Sequence, residues 1–201
     1  MSTQHKSWSF IELIIVMAMI ILLIVFALPR LINIIQQAKQ AAIVTISGNF
    51  STAVLSARMQ WETDGRPQMA KDNNIVNYDG SVFKLTPMTA KQSALIGYPF
   101  ALLTSNTVNV NQITAQDCVD LISHLLQPAP LATAISADAA MGKYAFFATV
   151  ERQYGDQRCR YYQLATVSNY RFDAINVIAG HSFTYIPTQG RVEVNLHQTK
   201  D

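Results

Sequence analysis

The sequence predicts an α+β protein in which a long N-terminal helix, half of it transmembrane, packs under a small antiparallel β-sheet head. Three observations predict this fold. Sixteen uninterrupted apolar residues run from Leu13 to Leu28, a helical apolar period continues from Leu31 to about Trp61, and β-rich runs separated by turn residues fill the C-terminal part. With 201 residues and 50% hydrophobic content, the chain has room for one membrane segment and one soluble domain.

The apolar run has the length of a membrane span. Phe10 to Leu28 is nineteen residues with one charge, about 28 Å as an α-helix, against roughly 30 Å of bilayer hydrocarbon. A buried core helix is disfavoured, because no side of the run is polar and the chain would have to bury it all round. A signal peptide is disfavoured too, since the run exceeds a roughly 7–15-residue apolar region and no small-residue cleavage site follows.

Glu12 is the one charge inside this apolar region. A carboxylate in the membrane costs about 2.5–3.5 kcal/mol on insertion scales, and such residues usually pair with another group. Two interpretations stay open: Glu12 lies near the interface and reaches water, or it pairs with a cation. His5 and Lys6 both precede the run, and a free α-amine made by cleavage just before Trp8 would be a suitable partner.

The segment Ser7–Leu13 (SWSFIEL), followed by the long apolar run, resembles the class III signal sequence of type IV prepilins. In that family a prepilin peptidase cuts after a short basic leader on the cytoplasmic side and methylates the new N-terminal residue. The resemblance implies cleavage between Ser7 and Trp8. It also implies that Glu12 is the family's glutamate and Pro29 its helix-kinking proline. Serine stands where the family has glycine, and tryptophan where it usually has phenylalanine, so processing depends on Ser7.

The resemblance implies a domain plan. Residues 1–7 form the prepilin leader, residues 8–62 the long helix with residues 8–28 transmembrane, and residues 63–201 a periplasmic α/β head. Positive residues flank the apolar run almost evenly, so the orientation with the N-terminus inside rests on the resemblance and not on charge.

Beyond Pro29 the helix is predicted to continue as an amphipathic element. Proline should kink it rather than end it, because the helical period persists. The element from Trp8 to about Glu62 would be about 80 Å long. The segment from Thr63 to Pro67 breaks the helix, with Trp61 packing at a capped helix end. The apolar stripe comprises Leu31, Ile35, Ala38, Ala42, Ile46, Phe50, Ala53, Ala57 and Trp61.

The first part of the head is predicted to contain a hairpin and one helix. Asp79-Gly80 lies between two β-rich runs, Ile75–Tyr78 and Ser81–Leu85, and favours a tight type I′ turn. Residues 86–111 are predicted to be irregular. A helix then begins after Thr114, which can cap it with Asp117, and ends before Pro128. Its predicted inner face is Cys118, Leu121, Ile122 and Leu125.

Four strands are predicted to follow, forming an antiparallel sheet over the helix stripe. They are residues 143–150, 158–167, 182–186 and 191–196, the last two as a terminal hairpin with a three- or four-residue turn.

The two cysteines, Cys118 and Cys159, lie 41 positions apart in the head. A disulfide is expected if the head is periplasmic, and two free buried thiols are the alternative. In the chain-entropy model closing such a loop contributes about 4 kcal/mol. Pilins commonly have a disulfide near the C-terminus that encloses a surface region of the head, and this pair would do the same.

No catalytic, cofactor or metal motif is present in the sequence, so an enzyme is not expected. His124 is a lone helix histidine without ligand-type neighbours, which indicates a surface or hydrogen-bonded role. Asp72, Asn73, Asn74 and Asp79 have the wrong spacing for a calcium loop. The net charge of +2, with no basic run, does not indicate nucleic-acid binding.

The sequence thus predicts a structural subunit of a type IV pilus. The segments Met59–Glu62 and Gly65–Pro67 resemble the region after the long helix in subunits of the mannose-sensitive haemagglutinin (MSHA) type, and the atypical Ser7 indicates a minor subunit. The resemblance implies the inner membrane and then the extracellular pilus as locations. It implies other pilin subunits, in a homo- or hetero-polymer, the prepilin peptidase and the inner-membrane assembly platform as partners, and roles in adhesion or pilus biogenesis. The alternatives are a pseudopilin of type II secretion and an uncleaved, membrane-anchored periplasmic binding protein.

Overall fold

The computed structural model describes residues 10–69, 73–87, 95–135, 142–167 and 180–197. The chain divides into two compact units, Met1–Lys39 and Gln40–Asp201. Within the described ranges there are two α-helices and nine strands in two sheets, which confirms the α+β class with a long N-terminal helix and a mainly antiparallel head. The predicted leader and the processing residues Ser7 and Trp8 lie outside the described residues.

Helix α1 runs without interruption from Phe10 to Thr63, passing through Pro29. Pro29 has no N–H to donate to the carbonyl four residues earlier, yet the surrounding sequence keeps its helical period and the helix continues. Its end is set by Gly65 and Arg66, whose φ angles are 80° and 60°, with the Arg66 N–H donating to the Trp61 carbonyl at 2.9 Å. The continuation past proline is confirmed, and the helix ends one residue after the predicted Glu62.

The second compact unit begins inside α1, because only the last part of this helix has a buried face. From Phe50 to Trp61 the four predicted residues are buried, and Val54, which was not predicted, is buried with them. Before Phe50 the predicted stripe is wrong by one position: Ile43 and Ser47 are buried, whereas Ala42 is exposed and Ile46 only half-buried. Ser47 tolerates burial because its hydroxyl donates to the Val44 carbonyl at 2.9 Å. The buried face is Ile43, Ser47, Phe50, Ala53, Val54, Ala57 and Trp61.

The first sheet has four antiparallel strands in chain order. The predicted hairpin is confirmed: Tyr78 pairs with Ser81, and Asp79 and Gly80 both have positive φ, 49° and 80°, as a type I′ turn requires. The prediction that residues 86–111 are irregular is wrong in part, because they contain β4 and a 3₁₀ turn at Val110–Gln112. The strands are β1 (Gln68–Met69), β2 (Asn73–Tyr78), β3 (Ser81–Leu85) and β4 (Pro99–Leu102).

Helix α2, Ala115–Leu125, has the predicted capping box. The Thr114 hydroxyl accepts from the Asp117 N–H at 3.2 Å, and the Asp117 carboxylate accepts from the Thr114 N–H at 2.8 Å. The predicted inner face, Cys118, Leu121, Ile122 and Leu125, is buried.

The second sheet contains the four predicted strands, with shifted boundaries, and one more. The extra strand is β5, which pairs in parallel with the start of β6, so the sheet is mixed rather than wholly antiparallel. The terminal hairpin has a four-residue turn between Ile186 and Arg191. In sheet order the strands are β5 (Ala132–Thr133), β6 (Phe146–Gln153), β7 (Asp156–Gln163), β8 (Ser182–Ile186) and β9 (Arg191–Asn195).

An aromatic cluster joins α1 to this sheet. The Phe50 ring lies 5.3–5.7 Å from the rings of Tyr161, Phe183 and Tyr185. Burial raises the pKa of Tyr161 and Tyr185 well above 10.0, so both phenols stay protonated and donate. Tyr161 donates to the Cys118 carbonyl at 2.8 Å.

Cys118 of α2 and Cys159 of β7 form the expected disulfide, with their Cα atoms 5.5 Å apart. The bond therefore joins helix α2 to the second sheet.

Candidate functional site

The N-terminal part of α1 is an apolar surface that no other described residue covers. Every described residue from 10 to 38 is exposed, including Phe10 at 77% and Phe26 at 71%. Soluble monomers rarely expose contiguous apolar patches larger than a few hundred Å². Among the described residues, α1 is the helix whose length and composition would allow it to cross a membrane, a property that a signal sequence can share.

Glu12 lies in the first turn of α1, where the helix dipole favours a negative charge. The three ion pairs found among the described residues do not include it. The next charge along the helix is Arg30, eighteen residues and about 27 Å away, which is far beyond ion-pair distance. Glu12 therefore has no cationic partner in the described part of its own chain.

A second apolar face lies on α1 within the head unit, on the side away from the buried stripe. Val44, Leu55 and Met59 are 49%, 46% and 69% exposed, and with Gly48 and Ser51 they recur every three or four residues, which places them on one face. A Cβ at Gly48 would meet nothing within 4 Å, so nothing in the described chain requires glycine there. We call these five residues the outer stripe.

A buried carboxylate holds the start of α2. Asp117 is 1% exposed; its Oδ1 accepts from the Ser105 hydroxyl, and its Oδ2 from the Thr107 hydroxyl at 2.6 Å and the Thr114 hydroxyl at 2.7 Å. Burial alone would raise the pKa of Asp117, but these hydrogen bonds together outweigh burial and hold its pKa below the ordinary 3.8.

A lysine secures the same loop from its other side. The Lys84 ammonium donates to the Ser105 carbonyl at 2.6 Å and to the Thr107 carbonyl at 2.9 Å. The loop before α2 is thus held between a carboxylate and an ammonium of the same chain.

An open groove of about 390 Å³ lies between α1, the β2–β3 turn and the end of α2; we call it the α1–α2 groove. Its apolar lining includes Ile46, Leu125 and Leu126. Five further lining residues bear polar groups that are unpaired within the described part of the chain. They are Asn49, Ser56, Tyr78, Asp79 and Gln127.

The β6–β7 hairpin ends in an exposed aromatic residue. Gln153 pairs with Asp156, so the turn is the two residues Tyr154 and Gly155, with φ of 52° and 87°. Asn or Gly normally occupies such positions, and a left-handed conformation costs other residues about 1–2 kcal/mol. Tyr154 nevertheless occupies this position and is 93% exposed.

The structure places the sequence-predicted residues in separate parts of the molecule. Glu12 and Pro29 lie on α1, and Cys118 and Cys159 form a bond in the head. His124 is paired, with its Nδ1 2.9 Å from the Ser81 hydroxyl. No group of three or more His, Cys, Asp or Glu residues suited to a metal ion occurs within the described ranges.

Sequence reasoning missed the outer stripe, the α1–α2 groove and Tyr154. Of these three features, only Tyr154 could have been recognised from the sequence, because Tyr-Gly lies between two β-rich runs where a two-residue turn is expected.

No protein-family model, curated protein or solved structure matches the chain. Function is therefore inferred from the residues and their geometry.

Proposed function

We propose that the protein is a structural subunit of a type IV pilus of MSHA type. It is inserted in the inner membrane, cleaved between Ser7 and Trp8, N-methylated, and assembled through its N-terminal helix into an extracellular filament. The observation that carries this proposal is the helical stretch from residue 10 to residue 38, which is exposed throughout and apolar from Leu13 to Leu28. It has one carboxylate, Glu12, in its first turn, unpaired among the described residues.

The apolar stretch is covered first by lipid and later by other subunits. In the membrane, lipid covers it; in a filament, the same surface packs against the helices of neighbouring subunits. Exposure of apolar area to water costs about 25 cal/mol per Å², so bundling of these helices keeps a large surface out of water once the subunit leaves the membrane.

Glu12 fixes the axial position of each helix relative to its neighbours in the filament. Cleavage before Trp8 creates an α-amine four residues before Glu12, and a carboxylate among apolar helices is stabilised by such a cation. The amine of one subunit pairs with Glu12 of its own or a neighbouring chain. A subunit out of register leaves a buried charge unpaired, which costs about 3–5 kcal/mol.

The outer stripe supports assembly along more of the helix. Val44, Leu55 and Met59 expose apolar side chains on the face of α1 that the head leaves uncovered. Gly48 and Ser51 between them are small, which permits close approach of another helix.

Mass spectrometry of membrane-extracted protein tests the processing step. The proposal expects an N-terminal peptide that begins at methylated Trp8. An intact Met1 N-terminus, with no peptide starting at Trp8, would contradict it and would favour the uncleaved, membrane-anchored periplasmic binding protein.

A pseudopilin of type II secretion has the same processed N-terminus and is the closer alternative. Sheared surface filaments that contain the protein would distinguish a pilus subunit from a pseudopilin.

A further inference from the structure

We propose that the tip of the β6–β7 hairpin in one copy of the chain docks into the α1–α2 groove of a second copy. Tyr154 is the inserted side chain, and Arg152 pairs with Asp79. This inference rests on the proposed function, because it supplies a contact between the heads of subunits that their helices bring together.

The hairpin tip has the features of an inserted group. Tyr154 is 93% exposed and has a φ of 52°, a conformation that an ordinary turn would give to Asn or Gly. Unfavourable backbone conformations persist where the position of the side chain matters. Arg152 is exposed beside it, and Tyr and Arg are among the residue types enriched at the energetic centres of interfaces.

The α1–α2 groove has the features of a receiving site. Its volume of about 390 Å³ accommodates an aromatic ring. The apolar side chains of Ile46, Leu125 and Leu126 offer contact to the ring, and the amides of Asn49 and Gln127 offer hydrogen bonds to its hydroxyl. Those two amides are unpaired within the described chain.

The charges of the two surfaces are complementary. The groove lining includes one carboxylate, Asp79, and no basic residue. The tip from Arg152 to Arg158 has two arginines and one aspartate, and Arg152 forms no ion pair among the described residues. Complementary charge fixes the register of an interface more than it raises affinity.

The two surfaces share no residue, so the contact is heterologous. Each copy offers its tip to one neighbour and its groove to another, and such head-to-tail contacts generate rings or open filaments rather than closed dimers. The inference therefore requires copies of this chain to be adjacent in the assembly.

Disulfide cross-linking of the full chain in pilus-producing cells tests the contact. One plasmid encodes Gln153→Cys, exposed beside Tyr154, which stays in place, and a second encodes Thr52→Cys, an exposed groove residue on α1. The matched control replaces the second variant by Val108→Cys, which is 66% exposed outside the groove. The expected result is a dimer when Gln153→Cys meets Thr52→Cys, and none with either variant alone or with Val108→Cys.

Charge variants in the same pair provide the second measurement. Arg152→Gln and Asp79→Asn should each reduce the dimer yield, whereas Arg191→Gln, which changes a 64% exposed arginine side chain on β9, should not. Asp79→Asn keeps a residue type suited to the turn, so a loss of dimer would reflect charge.

The outcomes separate this inference from the proposed function. Normal incorporation into filaments without the 153–52 dimer would overturn the inference and leave the proposed function intact. Dimers through Gln153→Cys alone would also overturn it, because they indicate a symmetric contact. The expected dimer in membranes, with no subunit in sheared filaments, would support the contact and refute the proposed function.

Discussion

At the residue scale, the buried carboxylate of Asp117 links sequence to stability most directly. The sequence indicates it as a capping residue, but its further hydrogen bonds to Ser105 and Thr107 depend on a loop that only the fold brings to it. An ionised, buried carboxylate of this kind stabilises the fold only while its donors remain in place.

Asp117→Asn should lower the free energy of unfolding by about 2–3 kcal/mol, because an amide NH₂ would face groups that already donate. Thermal unfolding of the full chain in detergent measures this. Asp120→Asn, one turn along α2 and bonded to the Gln116 amide, is the matched control and should change stability far less. Equal losses in the two variants would contradict the role given to Asp117.

The same residue predicts a pH dependence. The pKa of Asp117 is lower in the folded state than its ordinary 3.8, so the stability that it contributes is fully present above about pH 4 and is lost as the pH falls through its folded pKa. Unfolding curves collected from pH 6 to pH 2 should show a shallower acid loss for Asp117→Asn than for the wild type. Parallel curves would refute the assignment.

Replacing Tyr154 is predicted to stabilise the fold and to weaken assembly. Tyr154→Asn should raise the free energy of unfolding by about 0.5–1 kcal/mol, because Asn tolerates positive φ better than Tyr. Gly155→Ala at the next position, where φ is 87°, should lower it. The same Tyr154→Asn variant should weaken the contact between heads. A stabilised variant with unchanged assembly would mean that the tyrosine has no role at an interface.

At the element scale, the strong local signals gave correct predictions. The capping box of α2 and the Asp79-Gly80 turn depend on residues close in sequence, so propensity and spacing suffice. The short strands did not follow from sequence. β5 has two residues and pairs in parallel with β6, and β4 begins at Pro99, a residue that strands accept only at edges or ends. Both depend on tertiary pairing.

The buried stripe of α1 shows which residues the hydrophobic periodicity could identify and which it could not. It identified Phe50 and Trp61 because both are large and apolar. It missed Ser47, which is buried with its hydroxyl bonded to its own helix, a state that hydropathy does not indicate. The periodicity also did not indicate the outer stripe, because a helix with two apolar faces has no single apolar period.

The disulfide between α2 and β7 predicts the largest stability effect in the head. Replacing both Cys118 and Cys159 by serine should lower the free energy of unfolding by about 4 kcal/mol, from the closure entropy of a loop spanning 41 positions. A thiol titration of the denatured, non-reduced wild type should find no free thiol. Two free thiols would contradict the bond.

At the scale of the whole molecule, a helical stretch exposed from residue 10 to residue 38 and a head with its own buried core fit the proposed role as one part of a larger assembly. Among the described residues, the head has a buried core that includes Phe50 and its aromatic neighbours. The exposed surfaces, residues 10–38 and the outer stripe, are those that the proposed filament would cover.

Among the residues of the candidate site, the sequence alone indicated only those on the long N-terminal helix. Glu12 and Pro29 are visible because each departs from its surroundings, a charge among apolar residues and a proline within a helical period. The α1–α2 groove requires three elements distant in sequence, so no local pattern could have indicated it.

Incorporation of Glu12 variants into sheared filaments tests the central claim most directly. Glu12→Ala and the isosteric Glu12→Gln should be absent from filaments while their membrane levels match the wild type, because each removes the charge proposed to pair with the processed N-terminus. Glu12→Asp keeps the charge and should be incorporated. Normal incorporation of Glu12→Ala would contradict assembly through this charge pair.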